Sequence, residues 1–347
     1  MYDPDREVPA EDHLEWCHEA VQGVSRTFAL TVEELDVPMT DYICVGYLLC
    51  RIADTVEDAT TIPPGEKRRL LADYRDAIDP GTTTTAAGFR DEAAQWRPDD
   101  AGEDWDVVRR APRVLSTFRG FDAEVRDAMR PSILEMIDGM ARFVERYADE
   151  GGIRINTMDE LEDYSWYVAG TVSRLVTNLL APSATDEQER VMRENAEDFA
   201  LLLQLVNVAK DAREDYREEN NTYLPRDQFE RRGLDLSALD DAAKAADVAP
   251  VIRAVTERAE RYADGAQAWI EAMPDAIGAT RSAVAVPFLL AIATIRELEG
   301  RPEDVVAEGD VKVERAEVAA LLDRFRDGDP SVARLRERMR ERPLHET

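Results

Sequence analysis

Two five-residue stretches carry the same arrangement of carboxylates, Asp54-Thr-Val-Glu-Asp58 and Asp211-Ala-Arg-Glu-Asp215. On a helix of 3.6 residues per turn, positions i, i+3 and i+4 fall within an arc of about 100°. Asp54, Glu57 and Asp58 are therefore expected on one face, and Asp211, Glu214 and Asp215 on another. Like charges at this spacing destabilise an isolated helix by about 0.2–0.5 kcal/mol per pair, a cost that a divalent cation offsets. Mg²⁺ fits the donor type, because it takes carboxylate oxygens, keeps several waters and completes its shell with phosphate oxygens. All six residues are candidate metal ligands, and the four aspartates are candidate catalytic groups. Asp159-Glu-Leu-Glu-Asp163 has a similar spacing but reads as solvated surface.

The stretches leading into the two motifs are apolar, Tyr42 to Ala53 before the first and Phe199 to Ala209 before the second. A carboxylate cluster at the end of a core helix differs from one on a solvated face. Basic residues stand nearby: Arg51 three positions before Asp54, Lys210 beside Asp211, Arg213 inside the second motif, and Arg26 in Ser25-Arg-Thr-Phe28. Arginine offers a planar fork to phosphate and lysine a point charge. Ordinary ion pairing is the alternative for each. Lys210 favours the phosphate role, because it is one of only four lysines in the chain, with Lys67, Lys244 and Lys312.

Helical periodicity dominates the elements that must hold these groups. Helices are expected near 12–35, 39–59, 64–78, 105–120, 121–149, 157–182, 185–217, 236–272 and 275–298, then near 314–327 and 331–341. Thr157-Met-Asp-Glu160 has the form of a capping box, and Pro38 and Pro64 sit at helix starts. Residues 79–104, with Pro80-Gly81 and four consecutive threonines, read as a loop, as do residues 218–235. No convincing strand emerges. The expectation is one all-α domain over residues 1–347, with a core at about 12–298 and C-terminal helices beyond.

Charge excludes some partners. The 347 residues include 73 Asp plus Glu against 43 Lys plus Arg, a net charge of −30. Such a surface opposes nucleic acid, and it opposes charge-driven docking on anionic lipid. Acidic composition with almost no lysine predicts a protein adapted to high salt, where screening removes most of the self-repulsion. Cys17, Cys44 and Cys50 show no CxxC spacing and read as buried thiols in a reducing cytoplasm. His13, His18 and His345 lie near the two ends, which argues against a histidine-based site. There is no signal-like apolar stretch at the N-terminus, and Ala283–Ala293 is too short to span a bilayer.

Four blocks resemble the squalene/phytoene synthase family in order and spacing. They are Ser25–Phe28 with Tyr47-Leu-Leu-Cys-Arg51 and Asp54–Asp58; Tyr164-Ser-Trp-Tyr-Val-Ala-Gly170; Gln204-Leu-Val-Asn207 with Lys210 and Asp211–Asp215; and Asn221-Thr-Tyr-Leu-Pro225. The resemblance implies an isoprenoid-synthase helical fold with a central cavity. It also implies Mg²⁺-dependent head-to-head condensation of two prenyl diphosphates through a cyclopropyl intermediate, presqualene diphosphate in the squalene branch. Ser25, Arg26, Phe28, Arg51, Gln204, Asn207, Lys210 and Arg213 are then expected to bind substrate. Tyr47, Tyr167 and Phe28 are candidates to face the allylic cation, with core packing as the alternative for each. Tyr167 matches a position that the resemblance assigns to catalysis. Gly170 is expected to let two helices approach.

The first motif resembles the squalene branch, which joins two farnesyl units and reduces the intermediate with NADPH. Lys312 and Arg315, in a segment that resembles a cofactor-binding loop, together with Arg51 and Lys210, are the expected NADPH contacts. Glu314 departs from that pattern, and no Gly-rich dinucleotide loop is present. Thr222–Pro225 is closer to the phytoene branch, which joins geranylgeranyl units without reduction. A terpene cyclase or a chain-elongating prenyltransferase is a further alternative, and a non-catalytic acidic scaffold is the rival from another class. The enzyme is expected to be cytoplasmic without a transmembrane anchor, touching a membrane at most peripherally. The charge balance predicts that raising KCl from about 0.1 to 2 M raises Tm by several degrees, read by circular dichroism; an unchanged or lower Tm contradicts salt adaptation.

Overall fold

The computed structural model describes residues 10–25, 35, 37–79, 81–274, 278–309, 311–328 and 330–346. Among these the fold is all-α, with one isolated parallel bridge between Arg154 and Thr222. The helices run Ala10–Val24, Met39–Asp58, Pro64–Ile78, Ala86–Ala93, Glu103–Arg109, Ala111–Gly120, Ala123–Arg146, Met158–Ser165, Thr171–Leu180, Asp186–Glu214, Arg226–Glu230, Ala245–Glu260, Ala263–Glu271, Gly278–Gly300, Asp304–Ala307, Arg315–Arg326 and Val332–Glu341. Two helices lie at the centre. Met39–Asp58 packs against Ala10–Val24, Glu103–Gly120 and Ala123–Arg146. Asp186–Glu214 packs against Thr171–Leu180, Ala245–Glu271 and Gly278–Gly300. We call these two the first and second carboxylate helices.

Most expected boundaries fall within a few residues of the observed ones, because apolar periodicity and burial coincide. The expected helix 105–120 is two helices that meet at Arg110. The long segment 236–272 resolves into short 3₁₀ turns and the helices Ala245–Glu260 and Ala263–Glu271. Residues 79–104 are not all loop, since Ala86–Ala93 is helical. Thr85 caps it by accepting from the Gly88 N–H, and Phe89 is buried against Tyr74 with ring centroids 4.8 Å apart. Its flanking threonines and glycines masked the one buried aromatic that holds it. Residues 218–235 likewise contain the helix Arg226–Glu230.

The cap at Thr157 accepts from Glu160 N–H, but Glu160 reaches back to Asn156 rather than to Thr157. The reciprocal capping box is at Thr185 and Gln188, where the second carboxylate helix begins. Gly170 makes room for the Trp166 ring within its own π-helical turn, where a Cβ would lie 2.2 Å from the ring. The three cysteines are free and buried.

A strap closes the end of the second carboxylate helix. Ile155 N–H donates to the Thr222 carbonyl at 3.0 Å and Thr222 N–H to Ile153 at 2.8 Å. Arg226 and Asp227 N–H donate to Ile155 and Asn156 at 2.9 and 3.0 Å. The approach is close enough that a Cβ on Gly152 would lie 1.9 Å from the Asn220 carbonyl oxygen. The neighbour is backbone, so nothing can swing aside. Gly152→Ala is expected to destabilise the fold by about 1–3 kcal/mol, measured by urea denaturation; a change within 0.5 kcal/mol contradicts this account of the strap.

Candidate active site

Four half-buried side chains line one stripe of the first carboxylate helix: Tyr47, Arg51, Asp54 and Asp58, spaced by four, three and four residues. Their neighbours Leu48, Leu49, Ile52, Ala53 and Val56 are fully buried, so packing of the apolar face fixes the direction of the stripe. Arg51 Nε donates to Asp104 at 2.7 Å, and Arg51 stands 3.9 Å from Asp54. Tyr47 hydrogen-bonds Ser25. Arg26 and Phe28 lie outside the described residues. Glu57 is turned away from the stripe and is only 3% exposed. Both of its carboxylate oxygens face the Tyr164 hydroxyl, at 3.2 and 3.3 Å. The expectation that all three acidic residues share one face is thus corrected, because the helix buries its i+3 position.

The second carboxylate helix presents a matching stripe of Gln204, Asn207, Asp211 and Asp215, all less than fully buried. Lys210 pairs with its neighbour Asp211. Glu214 is exposed. Arg213 turns to the Ala307 carbonyl at 3.5 Å and lies beside Gly309, so its described contact is with the C-terminal turn. The segment with Lys312 and Arg315 follows that turn. The Lys312 carbonyl accepts from Arg301 at 3.1 Å, and both Lys312 and Arg315 are exposed.

The helix does not stop at Asp215 but continues through a wide π turn, Asp215–Glu219, and ends at Asn220 with φ 55°. This extension delivers Glu219 into the electrostatic field of the first motif. Burial comes first in raising the pKa of every one of these carboxyls. Repulsion adds to it: from Glu219 and Asp104 on Asp54, from Asp54 on Asp58, from Glu219, Asp211 and Asp58 on Asp215, and from Asp58 on Glu219. Asp54 is pushed up to about 6, Asp58 to about 7, Glu219 to about 8 and Asp215 to about 9. Asp54 keeps 30% of its side chain exposed, so the burial is that of a recess rather than a sealed interior. The two motifs therefore face one another closely enough that each disfavours the other's charge.

Three further participants carry no DxxED signal in the sequence. Glu219 continues the spacing of four from Asp211 and Asp215, a signal that a wider search than DxxED would catch. Asp104 is bound to Arg51 from a segment read as loop. Lys67 folds back from the helix Pro64–Ile78 to donate to the Glu57 carbonyl, capping the first carboxylate helix at its negative end. Tyr167, expected in the site, instead packs on Gly139 and accepts from Arg142 at 2.9 Å, with Phe143 at 6.3 Å between centroids. The residue of this block that hydrogen-bonds the first motif is Tyr164.

Among the described residues no three donors are gathered into a ready-made metal cage. The donors are nonetheless the hard oxygens that Mg²⁺ selects, and Mg²⁺ is ordinarily held by one or two carboxylates plus waters and substrate phosphates rather than by an all-protein cage. Asp54, Asp58, Asp211 and Asp215 fit that use.

The squalene/phytoene synthase family model matches residues 21–317, and the chain belongs to that family, whose members are prenyltransferases. It is 26% identical over 326 residues to squalene synthase of Schizosaccharomyces pombe, covering 92% of this chain and 66% of that protein, just under two thirds of its length. It is 22% identical over 326 residues to inactive squalene synthase 2 of Arabidopsis thaliana, covering 93% of this chain and 73% of that one. The fold is similar to that of TcSQS solved with a ligand, at TM-score 0.80 and 24% identity, covering 94% of this chain and 90% of that chain. Among the described residues no helix is long and apolar enough to cross a membrane.

The raised carboxyl pKa values give a signed expectation. Without a divalent cation the folded state holds protons that the unfolded chain has released, between the ordinary values of 3.8–4.5 and the folded values of about 6–9. The contribution of these four groups to stability is then fully present below pH 4 and is lost as pH rises through this window. A bound cation favours the ionised form and offsets the loss. The rise in Tm on adding 5 mM MgCl₂ should accordingly be larger at pH 8 than at pH 5.5, measured by scanning calorimetry; a rise that is the same at both pH values contradicts this account.

Proposed function

We propose that the chain is an Mg²⁺-dependent prenyltransferase that condenses two farnesyl diphosphates head to head, through presqualene diphosphate, and reduces the product to squalene with NADPH. The observation that carries the first half is that the two motifs come close enough for Asp58 to repel Asp215 and Glu219, with Arg51 and Lys210 near enough to offset part of that charge. When bound, Mg²⁺ neutralises diphosphate oxygens and makes the diphosphate a better leaving group. Asp54, Asp58, Asp211 and Asp215 would supply the carboxylate oxygens that hold the metal. Arg51, already oriented by Asp104, and Lys210 supply N–H donors for the departing diphosphate. Tyr47, on the same stripe as Arg51 and Asp54, offers an aromatic face next to where positive charge develops. Gln204 and Asn207 sit two turns and one turn before Asp211 on the facing helix, where they would contact the substrate.

The reduction rests on less: the first motif's likeness to the squalene branch and a C-terminal turn held against the second carboxylate helix through Arg213. Lys312 is the residue there that could meet a cofactor phosphate. One incubation separates the branches. Purified protein with Mg²⁺ and farnesyl or geranylgeranyl diphosphate, with and without NADPH, is expected to give a C30 hydrocarbon only with farnesyl diphosphate and NADPH, identified by mass. A C40 product without NADPH would favour phytoene synthesis instead. No product from either substrate by a folded protein would overturn the proposed activity. Asp54→Asn and Asp211→Asn should each lower kcat on the order of 10²-fold or more while leaving the circular dichroism spectrum unchanged.

A further inference from the structure

Glu57 belongs to a buried chain of hydrogen bonds that no expectation from the sequence included. Its members are Glu57, Tyr164, Tyr223 and Asn221, each less than 9% exposed. Asn221 Oδ1 accepts from Ile153 N–H at 2.9 Å, which fixes the amide so that its Nδ2 faces the other way. Nδ2 donates to the Tyr223 oxygen at 3.0 Å and stands 3.5 Å from Glu219 Oε2. The Tyr223 and Tyr164 oxygens are 3.3 Å apart, and Tyr164 faces the Glu57 carboxylate at 3.2 and 3.3 Å.

A phenol has one proton, so a single consistent direction satisfies every member. Asn221 donates to Tyr223, Tyr223 to Tyr164, and Tyr164 to Glu57. Burial keeps both phenols protonated and able to donate. The two tyrosine rings stack at 5.0 Å and 20°, and Phe143 closes on Tyr164 edge-on at 5.1 Å. One end of this chain is the first carboxylate motif. The other end is Asn221, whose own N–H binds the Asp215 carbonyl at 3.0 Å in the second.

We propose that Glu57, Tyr164, Tyr223 and Asn221 form a positioning bridge that sets the spacing of the two carboxylate clusters, with Glu57 as its anchor and not as a metal ligand. The proposal rests on the reading that these clusters take up Mg²⁺ with a diphosphate. Three geometric facts support it. Glu57 is off the open stripe. Its oxygens are engaged by a buried donor. The bridge ends on the backbone of the very turn that presents Asp215 and Glu219. Tyr164 and Tyr223 are buried, and Asn221, 2% exposed, reaches only the wall of the small cavity that Glu57 and Glu219 also line, so all three act through the carboxylates as positioning residues.

The test compares Glu57→Gln, Glu57→Ala, Tyr164→Phe, Tyr223→Phe and Asp58→Asn with the parent protein. The readouts are the Mg²⁺ concentration giving half of the Mg²⁺-induced rise in Tm in the presence of inorganic pyrophosphate, and the split between kcat and KM. Glutamine keeps the carbonyl acceptor that Tyr164 needs, so Glu57→Gln should retain a Mg²⁺ midpoint within about twofold of the parent, whereas Glu57→Ala should not. Tyr164→Phe and Tyr223→Phe should raise the midpoint at least fivefold and lower kcat more than they raise KM. Asp58→Asn should raise the midpoint at least tenfold.

If Glu57→Gln matches Asp58→Asn, Glu57 is a ligand and the proposal fails. If both phenylalanine variants keep the parent midpoint and only lower the starting Tm, the bridge is packing alone and the proposal also fails. Should Tyr164→Phe not fold, Tyr223→Phe, which leaves the Tyr164–Glu57 contact in place, decides the question. A parent protein whose Tm ignores Mg²⁺ with pyrophosphate removes the functional reading itself, an outcome distinct from either of these.

Discussion

Repulsion between carboxylates is the constraint around which this molecule is organised. Two apolar helices bring Asp54 and Asp58 opposite Asp215 and Glu219, and each group raises the pKa of its neighbours. Left alone, such an arrangement works against folding, because buried like charges disfavour the compact state. The rest of the structure supplies what holds it in place: a lysine cap at the end of the first helix, a backbone strap at the end of the second, and a large apolar core on the far side of both. The strain is stored where a cation and an anion together would relieve it, which is the usual location for stored strain in a binding site.

Much of this was legible in the sequence, and the reasons are specific. The first carboxylate helix was placed to within a residue because its buried positions repeat with helical period and Pro38 marks its start. The second was placed because Phe199 to Ala212 leaves no polar residue on its inner face. The direction of Glu57 was not legible. A 100° arc is wide enough to contain both a recess-facing and a core-facing position, and only the neighbouring helix, with Tyr164 waiting, decides between them. Glu219 was missed for a related reason. Its spacing of four from Asp215 is visible in the sequence, but its placement depends on a π turn that a pattern read at 3.6 residues per turn does not foretell. Ala86–Ala93 was missed because local turn chemistry and long-range burial disagree there, and burial of Phe89 prevails.

Family resemblance and geometry contributed different things. The four ordered blocks named the family, and the match over residues 21–317 places the chain in it. They did not say which member of a block does what. Tyr164 and Tyr167 belong to the same block, yet one is bonded to the first motif and the other to Arg142 on the neighbouring helix. Likewise Glu57 and Asp58 are adjacent in the most diagnostic motif and point into different surroundings. A motif fixes the residue types a family keeps, whereas the division of labour inside it is a property of packing.

The strap between residues 153–156 and 222–227 has a consequence for how the site comes into being. It ties together segments separated by more than sixty residues, and Arg154 adds a second tie by binding the Asn220 side chain at 2.6 Å. Contacts of such sequence separation carry a loop-closure entropy cost that the rest of the fold must offset. The turn carrying Glu219 is thus held in place by long-range contacts and not by its own helix alone. A partly folded chain would hold its carboxylates far apart, where they repel little and bind divalent cations weakly. Affinity for the metal is in this sense a property of the finished fold, so that occupancy itself would report that assembly is complete.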